Sequence, residues 1–245
     1  MRNWRDVLSI GRQIDSPAKK RAFNRRHFTA AAGRYDLATR GMSLGRDQAW
    51  KKDLVAILPA IAEPVCVDLA SGTGDIAFLL AARFPAARVV GIDLTEDMVA
   101  RARGRRPPAN VHFLCQDMTE TGFADASVDI VTGSYALRNA PHLAEVLQEV
   151  YRILKPGGHA AFLDFSKSDR PDLQRFQYRL LKGWCGLWGV LLHGDPAIHA
   201  YIADSLRQFP ALEDYHRLLR HCDFEIIQTR FFYLGLLELV LVRKR

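Results

Sequence analysis

The segment Val65 to Asp75 constrains this chain more than any other part of its sequence. The apolar, β-branched residues at its start predict a buried strand, and a glycine-rich turn follows directly. From Ile76 to Arg83 the apolar residues then recur at helical spacing. Gly72 and Gly74 have no Cβ, so both can adopt a positive φ and let a ligand approach the backbone. A strand, a Gly-x-Gly turn and a helix N-terminus in this order predict a nucleotide-type binding site.

The charges beside the turn decide which ligand it suits. Gly72 to Ala77 fits the relaxed G-x-G-x-x-A pattern of dinucleotide sites, so a nicotinamide or flavin cofactor must be considered. However, Asp68 lies just before the turn and Asp75 lies inside it, where two carboxylates would repel a pyrophosphate. A cofactor with an ammonium and a sulfonium would be attracted instead, which favours S-adenosylmethionine. The alternative makes Asp75 a first-turn residue favoured by the helix dipole, and Asp68 a strand-end residue.

Three further predicted strands end in polar residues that suit the same ligand. The second strand ends at Asp93, nineteen positions after Gly74, where a carboxylate binds ribose hydroxyls in nucleotide folds. Asp117 follows the third strand and could accept a hydrogen bond from an adenine amino group, while Met118 packs on the ring. Ser134 follows the fourth strand. These strands are predicted at residues 88–93, 111–115 and 128–133.

Because parallel strands of an open α/β sheet end along one rim, we expect these side chains to meet where such sheets bind ligands. Thr95 is a candidate N-cap for the helix after the second strand. The candidate cofactor-binding residues are Asp68, Gly72, Thr73, Gly74, Asp93, Leu94, Asp117, Met118 and Ser134.

Three longer motifs are more specific than the glycine-rich turn. They are Ser134 to Asn139 with its Leu-Arg-Asn core, LQEVYRILKPGG at 147–158 and FLDFSK at 162–167. With them, residues 18 to 245 resemble the ubiquinone/menaquinone-biosynthesis C-methyltransferases (the UbiE type) of the class I S-adenosylmethionine-dependent superfamily. The stretches 35–50 and 201–210 are also similar to that family. The chain departs from it at 221–224 and 233–238, where the family has an Ala-Gly-Phe and an Asn-Leu-Thr-Gly-Gly-like turn.

The resemblance implies an α/β, Rossmann-like class I methyltransferase fold. That fold has a seven-stranded, mostly parallel sheet with helices on both faces, and here N-terminal helices and a helical insert would cover the site. The resemblance also implies an S-adenosylmethionine-dependent methyltransferase that methylates a ring carbon of a hydroxylated lipid quinol precursor, of the demethylmenaquinol or ubiquinol-precursor type.

Methyl transfer to a ring carbon requires alignment, exclusion of water and electron density on the acceptor. Arg138 is the first candidate catalytic residue, as a cation that stabilises a phenolate or as a group that orients a water. It cannot act as a bare base at neutral pH. Asn139 could fix the same ring through its amide. Weaker candidates are His142, Asp164, His193, His199 and Tyr201.

The chain is expected to form an N-terminal extension, 1–17, and a single methyltransferase domain, 18–245. Two parts of this domain, 18–60 with two helices and 170–210, are expected to build the acceptor pocket. The second part is rich in aromatic and aliphatic residues in a helical run broken by three glycines, which suggests a greasy tunnel, a lid or a lipid-facing surface. The alternatives for it are a helix packed on the sheet edge and a homodimer contact.

Composition limits the partners. The net charge of +7, from 34 basic and 27 acidic residues, suits an anionic membrane surface or nucleic acid. Without an arginine-rich arm or an RNA-binding aromatic signature, nucleic acid is not expected, and no metal-ligand spacing is present. The four cysteines show no C-x-x-C pairing, which predicts a reducing, cytoplasmic location. A peripheral contact with the inner membrane is also compatible with this location. Residues 1–13 could form an amphipathic surface helix or a transit segment.

Two other functions fit the same sequence. One is an O- or N-methyltransferase of a small soluble secondary metabolite, which a small polar pocket under the 170–210 segment would favour. The other is a cofactor-binding protein without catalysis, against which the intact turn and the Leu-Arg-Asn core at 137–139 argue.

Overall fold

The computed structural model describes residues 14–245, which contain one seven-stranded sheet. The expectation of an amphipathic helix over residues 1–13 lies outside the described residues. The helices are α1 (Pro17–Ala31), α2 (Tyr35–Met42), α3 (Asp47–Ala56), α4 (Asp75–Arg83), α5 (Glu96–Gly104), α6 (Leu143–Ile153), α7 (Pro171–His193), α8 (Ala197–Gln208) and α9 (Leu212–His221). The strands are β1 (Val65–Leu69), β2 (Arg88–Asp93), β3 (Val111–Cys115), β4 (Val128–Ser134), β5 (Leu154–Phe165), β6 (Phe224–Phe232) and β7 (Leu237–Lys244). Short 3-10 turns occupy Ala32–Arg34, Leu137–Asn139 and Tyr233–Gly235.

The strand order is β3-β2-β1-β4-β5-β7-β6, and β7 runs antiparallel to both of its neighbours. The four pairs from β3 to β5 are parallel, so the predicted class I fold is confirmed. The order reverses between β1 and β4, and open α/β sheets bind ligands at the carboxyl ends of the strands beside such a reversal.

The central strands are apolar on both faces because helices cover both sides of the sheet. One buried cluster includes Val67 and Val131, and the other includes Cys66 and Ile130, so neighbouring residues of one strand enter opposite layers of the core. Cys66 on β1 is buried, whereas Cys115 is exposed. It lies on β3, which is an edge strand of the sheet.

Two local predictions were wrong. Ahead of the first strand the chain forms three helices rather than two, because the Ala32–Arg34 turn and residues 43–46 divide the region. The three glycines in the 170–210 segment do not break its helix, and α7 continues through all of them for 23 residues. Gly189 allows a close approach, since a Cβ there would lie 2.6 Å from the Asp195 carbonyl oxygen.

We predict that Gly74→Ala destabilises the fold, because Gly74 has a φ of 92° and an added Cβ would lie 2.6 Å from the Phe113 ring. A left-handed alanine and an overpacked contact together should lower the free energy of unfolding by about 3 kcal/mol. Urea denaturation without cofactor measures the change.

Gly183→Ala is the matched control, because Gly183 lies inside α7 and an added Cβ would meet nothing within 4 Å. Alanine has the higher helix propensity, so this variant should gain about 1 kcal/mol. Equal unfolding midpoints for the two variants would contradict the role assigned to Gly74.

Candidate active site

The glycine-rich turn after β1 has the backbone conformation that the sequence predicts. Gly72 and Gly74 have φ angles of 54° and 92°, and Ala70 also lies in the left-handed region, at 48°. Gly74 is the N-cap of α4. The Gly72 N–H donates to Asp93 Oδ2 over 2.9 Å, which fixes the turn against the end of β2.

Asp93 organises the next loop as well as the turn. Its Oδ1 accepts hydrogen bonds from the Thr95 backbone N–H over 3.0 Å and from the Thr95 hydroxyl over 2.9 Å. Thr95 does occupy the N-cap position of α5, but its side chain makes no capping hydrogen bond to that helix. The N-cap position is therefore confirmed, but the hydroxyl donates to the Asp93 carboxylate rather than accepting from the helix.

Two adjoining cavities lie at this rim and share the lining residues Tyr35, Ala70, Gly72, Ser134 and Tyr135. Eight of the nine candidate cofactor residues line one or both of them, and the exception is Gly74, whose place is at the start of α4. The first cavity is lined by Asp93, Leu94, Asp117 and Met118, with Gly72 and Ser134. The second is lined by Asp68 and Thr73, again with Gly72 and Ser134.

Three buried oxygens at or beside these cavities fit S-adenosylmethionine. Asp68 Oδ2, Ser71 Oγ and Ser134 Oγ have no hydrogen-bond partner among the described residues, whereas buried polar atoms nearly always have one. Asp68 Oδ1 is satisfied by the Thr132 hydroxyl at 2.8 Å. An ammonium and sugar hydroxyls supply the donors that the orphaned oxygens lack, so the residues present suit this cofactor.

Asp117 is already engaged by protein groups. Its Oδ1 accepts from the Thr119 N–H at 2.9 Å and from the Thr119 hydroxyl at 2.8 Å. Its Oδ2 lies 2.8 Å from Arg21 Nε, and Arg21 belongs to α1. Helix α1 therefore packs over the first of the two cavities, beside Asp117, a contact that no local sequence pattern indicates. We call these two cavities together the cofactor region.

Asp75 is not the free carboxylate that the interpretation of the sequence assumed. Its carboxylate lies 2.8 Å from Lys51 Nζ and 2.6 Å from Arg105 Nη1, and it accepts a 2.8 Å hydrogen bond from Gln48. Although burial alone would raise it, the pKa of Asp75 is held far below its usual value by these partners, Lys51 first. Asp75 is therefore paired with protein cations and is not a free charge for the cofactor.

A third and larger cavity, of about 450 Å³, adjoins the other two. Aromatic and aliphatic side chains dominate its lining. They come from α1, α2 and the loop after it, α3, β5, α7, α8 and the turn after β6. They include Phe28, Met42, Leu44, Trp50, Phe165, Leu180, Leu181, Trp184, Ile198, Ile202 and Leu234. Its polar members include His27, Thr39, Ser43, Arg138, Asn139 and His199.

Tyr35 and Tyr135 line all three cavities, so the cofactor region and the large cavity meet at these two rings. Burial raises the pKa of both phenols, which therefore stay neutral at neutral pH. Tyr135 has a φ of 58°, a strained conformation for an aromatic residue and one typical of functional sites. In the sequence these two tyrosines stand out only as parts of longer motifs.

Arg138 and Asn139 follow Tyr135 closely, on the 3-10 turn after β4. Asn139 lines the large cavity and the first of the two smaller ones, whereas Arg138 lines the large cavity. Arg138 is 4% exposed, and its Nε lies 3.3 Å from Asp164 Oδ1. Its Nη1 donates to the Ser205 hydroxyl, and its guanidinium carbon lies 5.3 Å from the centre of the Phe165 ring. Both candidate catalytic residues line the large cavity.

The weaker candidates are divided between cavity and surface. His142 is exposed and lies 4.0 Å from Glu145. His199 and Tyr201 line the large cavity, and burial lowers the pKa of His199 to about 4, with a smaller contribution from His193. The rings of His193 and His199 form a T-shaped pair with centroids 5.2 Å apart.

Comparison with known proteins agrees with this geometry. The chain is 35% identical to the ubiquinone/menaquinone biosynthesis C-methyltransferase UbiE of Desulfotalea psychrophila over 208 residues, 85% of each chain. It is 30% identical to the mitochondrial 2-methoxy-6-polyprenyl-1,4-benzoquinol methylase of Caenorhabditis elegans, over 82% of this chain and 72% of that one.

A solved structure shows the same fold. The S-adenosylmethionine-dependent methyltransferase of Thermotoga maritima aligns with a TM-score of 0.64 and 20% identity, over 90% of this chain and 99% of that one. The model of the ubiE/COQ5 methyltransferase family matches residues 18–240, a range that contains every candidate residue of the site. The chain therefore belongs to the ubiE/COQ5 methyltransferase family.

Proposed function

We propose that this S-adenosylmethionine-dependent methyltransferase methylates a ring carbon of a hydroxylated quinol precursor with a lipid tail. The observation that carries the proposal is the apolar cavity of about 450 Å³ that meets the cofactor region at Tyr35 and Tyr135. Cavities that take apolar ligands combine such a lining with a few placed polar groups. Arg138 and Asn139 supply them at the end nearest the cofactor.

The names of the relatives support the same acceptor class. The Desulfotalea protein is named for ubiquinone and menaquinone biosynthesis, and the Caenorhabditis protein for a polyprenyl benzoquinol. The Desulfotalea name specifies a C-methyltransferase, and the Caenorhabditis name describes a benzoquinol ring with a polyprenyl chain. The aliphatic and aromatic side chains of α7 and α8 suit such a chain.

The cofactor supplies a methyl group on a sulfonium, and the protein has to place an electron-rich carbon opposite it. Asp93 would bind the ribose hydroxyls, and Asp68 Oδ2 would accept from the ammonium. The Arg138 guanidinium, held by Asp164, would favour loss of the proton of a neighbouring ring hydroxyl to water, and the resulting oxyanion would raise electron density on the adjacent carbon. The hydrogen that this carbon exchanges for the methyl group would also leave to water as a proton. The aromatic walls exclude water from the junction.

The alternative is an O- or N-methyltransferase of a small soluble metabolite. That function would suit a small polar pocket beneath the 170–210 segment. The cavity there is large, and most of its lining residues are apolar. The size and lining therefore favour a tailed acceptor over a small polar one.

We also propose that the protein works in the cytoplasm in contact with the inner membrane surface. Among residues 14–245, no helix is long and apolar enough to cross a membrane. An exposed apolar stripe runs along one side of α7 at helical spacing, formed by Leu173, Phe176, Leu180, Leu187 and Leu191. Leu44, Leu180 and Leu234 are exposed and also line the large cavity, so the stripe reaches the cavity mouth. The net charge of +7 suits anionic headgroups.

We predict that the purified protein transfers label from methyl-labelled S-adenosylmethionine to a ring carbon of a demethylated prenyl quinol. Carbon NMR of the product locates the methyl group. Arg138→Lys should lower kcat by about a hundredfold, because a lysine lacks the planar fork that reaches both Asp164 and Ser205.

Cofactor affinity of Arg138→Lys, measured by calorimetry, should stay within a few-fold of the wild type. Arg217→Lys is the control, since Arg217 is exposed and pairs with Asp214 on its own helix. Label found on oxygen would support the alternative function. An equal loss of affinity and turnover in Arg138→Lys would make this residue structural.

We predict that cofactor affinity rises with pH up to about 7. Burial raises the pKa of Asp68 to about 7, with partial opposition from Thr132 and Lys51. Below that pH the free protein holds a proton on Asp68, and binding of an ammonium must displace it. Affinity should therefore rise about tenfold from pH 5.5 to 7.

Asp68→Asn should remove this dependence, because an amide does not titrate in the range. Asp125→Asn is the control, since Asp125 is exposed and lies at the surface beside Arg152. Calorimetry across the pH series makes the measurement. A wild-type affinity that stays constant or falls from pH 5.5 to 7 would show that Asp68 does not meet the cation.

We predict that the protein sediments with anionic lipid vesicles and that Leu234→Glu weakens this binding at least tenfold. Leu234 is fully exposed at the mouth of the cavity, so a charge there would oppose insertion. Leu114→Glu is the control, because Leu114 is exposed on the edge strand β3. Equal vesicle binding by the two variants would contradict the proposed membrane contact. A homodimer that covers the apolar stripe, detected by analytical ultracentrifugation, would also contradict it.

A further inference from the structure

Helix α1 holds the backbone of the candidate catalytic turn through two side chains. Lys20 Nζ donates to the Arg138 carbonyl oxygen over 2.9 Å. Asn24 Nδ2 donates to the Asn139 carbonyl oxygen over 2.7 Å. Lys20 and Asn24 are four residues apart, so they lie on one face of the helix and meet two consecutive carbonyls. We call Lys20 and Asn24 the latch pair.

The latch pair is buried, at 7% exposure for Lys20 and 4% for Asn24. Tyr201 of α8 joins it, because its hydroxyl oxygen lies 2.8 Å from both Asn24 Oδ1 and Asn139 Oδ1. The single hydroxyl hydrogen can serve one of these oxygens at a time. Helices α1 and α8, which both lie outside the sheet, thus hold the turn through hydrogen bonds.

Burial of the Lys20 ammonium lowers the stability of the fold. Burial lowers the pKa of Lys20 to about 8, and the nearby Arg138 cation lowers it further, with partial opposition from Asp164. A methionine would fill a similar volume without the desolvation cost. Groups that lower stability in this way are typical of functional positions.

The same face of α1 continues to both parts of the site. Asn24 and Phe28 line the cofactor region, and His27 and Phe28 line the large cavity. Helix α1 is therefore in contact with the cofactor region, the acceptor cavity and the turn between them.

We propose that Lys20 and Asn24 are positioning residues for methyl transfer. They hold the backbone of Arg138 and Asn139, the two residues whose side chains line the large cavity beside Tyr135. This inference rests on the proposed function, because it assigns the turn a part in the reaction. The pair does not touch the reacting atoms, and it acts through the turn.

The helix should stay docked when the latch pair is changed. Phe23 of α1 is buried against Tyr201, with ring centroids 4.9 Å apart. The Ser16 hydroxyl caps the helix by accepting from the Lys19 N–H at 3.4 Å. These contacts are independent of the two donors, so variants that lack a donor remain suitable for assay.

We predict that Lys20→Met and Asn24→Asp each lower kcat at least tenfold, with cofactor affinity within threefold of the wild type. Both changes nearly preserve shape and remove the donor to the turn, while Lys20→Met also removes a positive charge and Asn24→Asp adds a negative one. Lys19→Met is the matched control, since Lys19 is on the same helix with its side chain 59% exposed and pairs with Asp15. It should match the wild type in both quantities.

A second measurement does not depend on activity. The Asn139 and Ala140 N–H groups donate to Ala136 and Leu137 within the turn, at 3.0 Å each. Hydrogen exchange of a peptide that covers residues 136–141, followed by mass spectrometry without cofactor, should be at least fivefold faster in the latch variants. In Lys19→Met it should be unchanged.

The outcomes separate this proposal from the proposed function. Wild-type turnover and exchange in both latch variants would overturn the latch while leaving methyl transfer intact. A parallel loss of kcat, cofactor affinity and thermal stability would also overturn it, since that pattern indicates a general structural role. If the wild type methylates no quinol, the proposed function fails, and unchanged exchange in the variants would still overturn the latch.

Discussion

The buried contact between Arg138 and Asp164 is the interaction on which the site depends. Asp164 is the second-to-last residue of β5, and it accepts hydrogen bonds from the Arg138 backbone N–H at 3.0 Å and from the Arg138 guanidinium. It therefore fixes the turn after β4 to the neighbouring strand. Removing one partner of such a pair leaves an uncompensated buried charge, which typically costs 3–5 kcal/mol. The Leu137–Asn139 turn is consequently part of the core on one side and lines the large cavity on the other.

The residues at the rim of the sheet were predictable because the signals that place them lie in short stretches of sequence. Each strand shows its own apolar run, and each run ends at a polar residue within one or two positions, as at Asp68, Asp93 and Asp117. The rule that parallel strands end along one edge then brings these residues together without knowledge of their contacts. The positive φ angles of Gly72 and Gly74 follow from the same short segment.

Contacts between distant segments were not predictable in this way. Lys51 meets Asp75 from 24 positions away, and Lys20 meets Arg138 from 118 positions away. Neither pairing has a sequence period, since each depends on how a covering helix packs against the rim. The continuous helix α7 is a related case. Glycine is a weak helix former in isolation, but at Gly189 its small size permits packing that a larger residue would prevent.

The structure changes the reason why the rim suits a cationic cofactor. Asp75 is neutralised by Lys51 and Arg105, so two free carboxylates no longer explain the preference. Asp68 provides a better reason, because its Oδ2 is buried and has no donor among the described residues. A pyrophosphate offers only acceptors and would leave that oxygen unsatisfied beside a like charge, whereas an ammonium both donates and compensates the charge. Selectivity thus rests on one unsatisfied carboxylate oxygen rather than on the net charge of the turn.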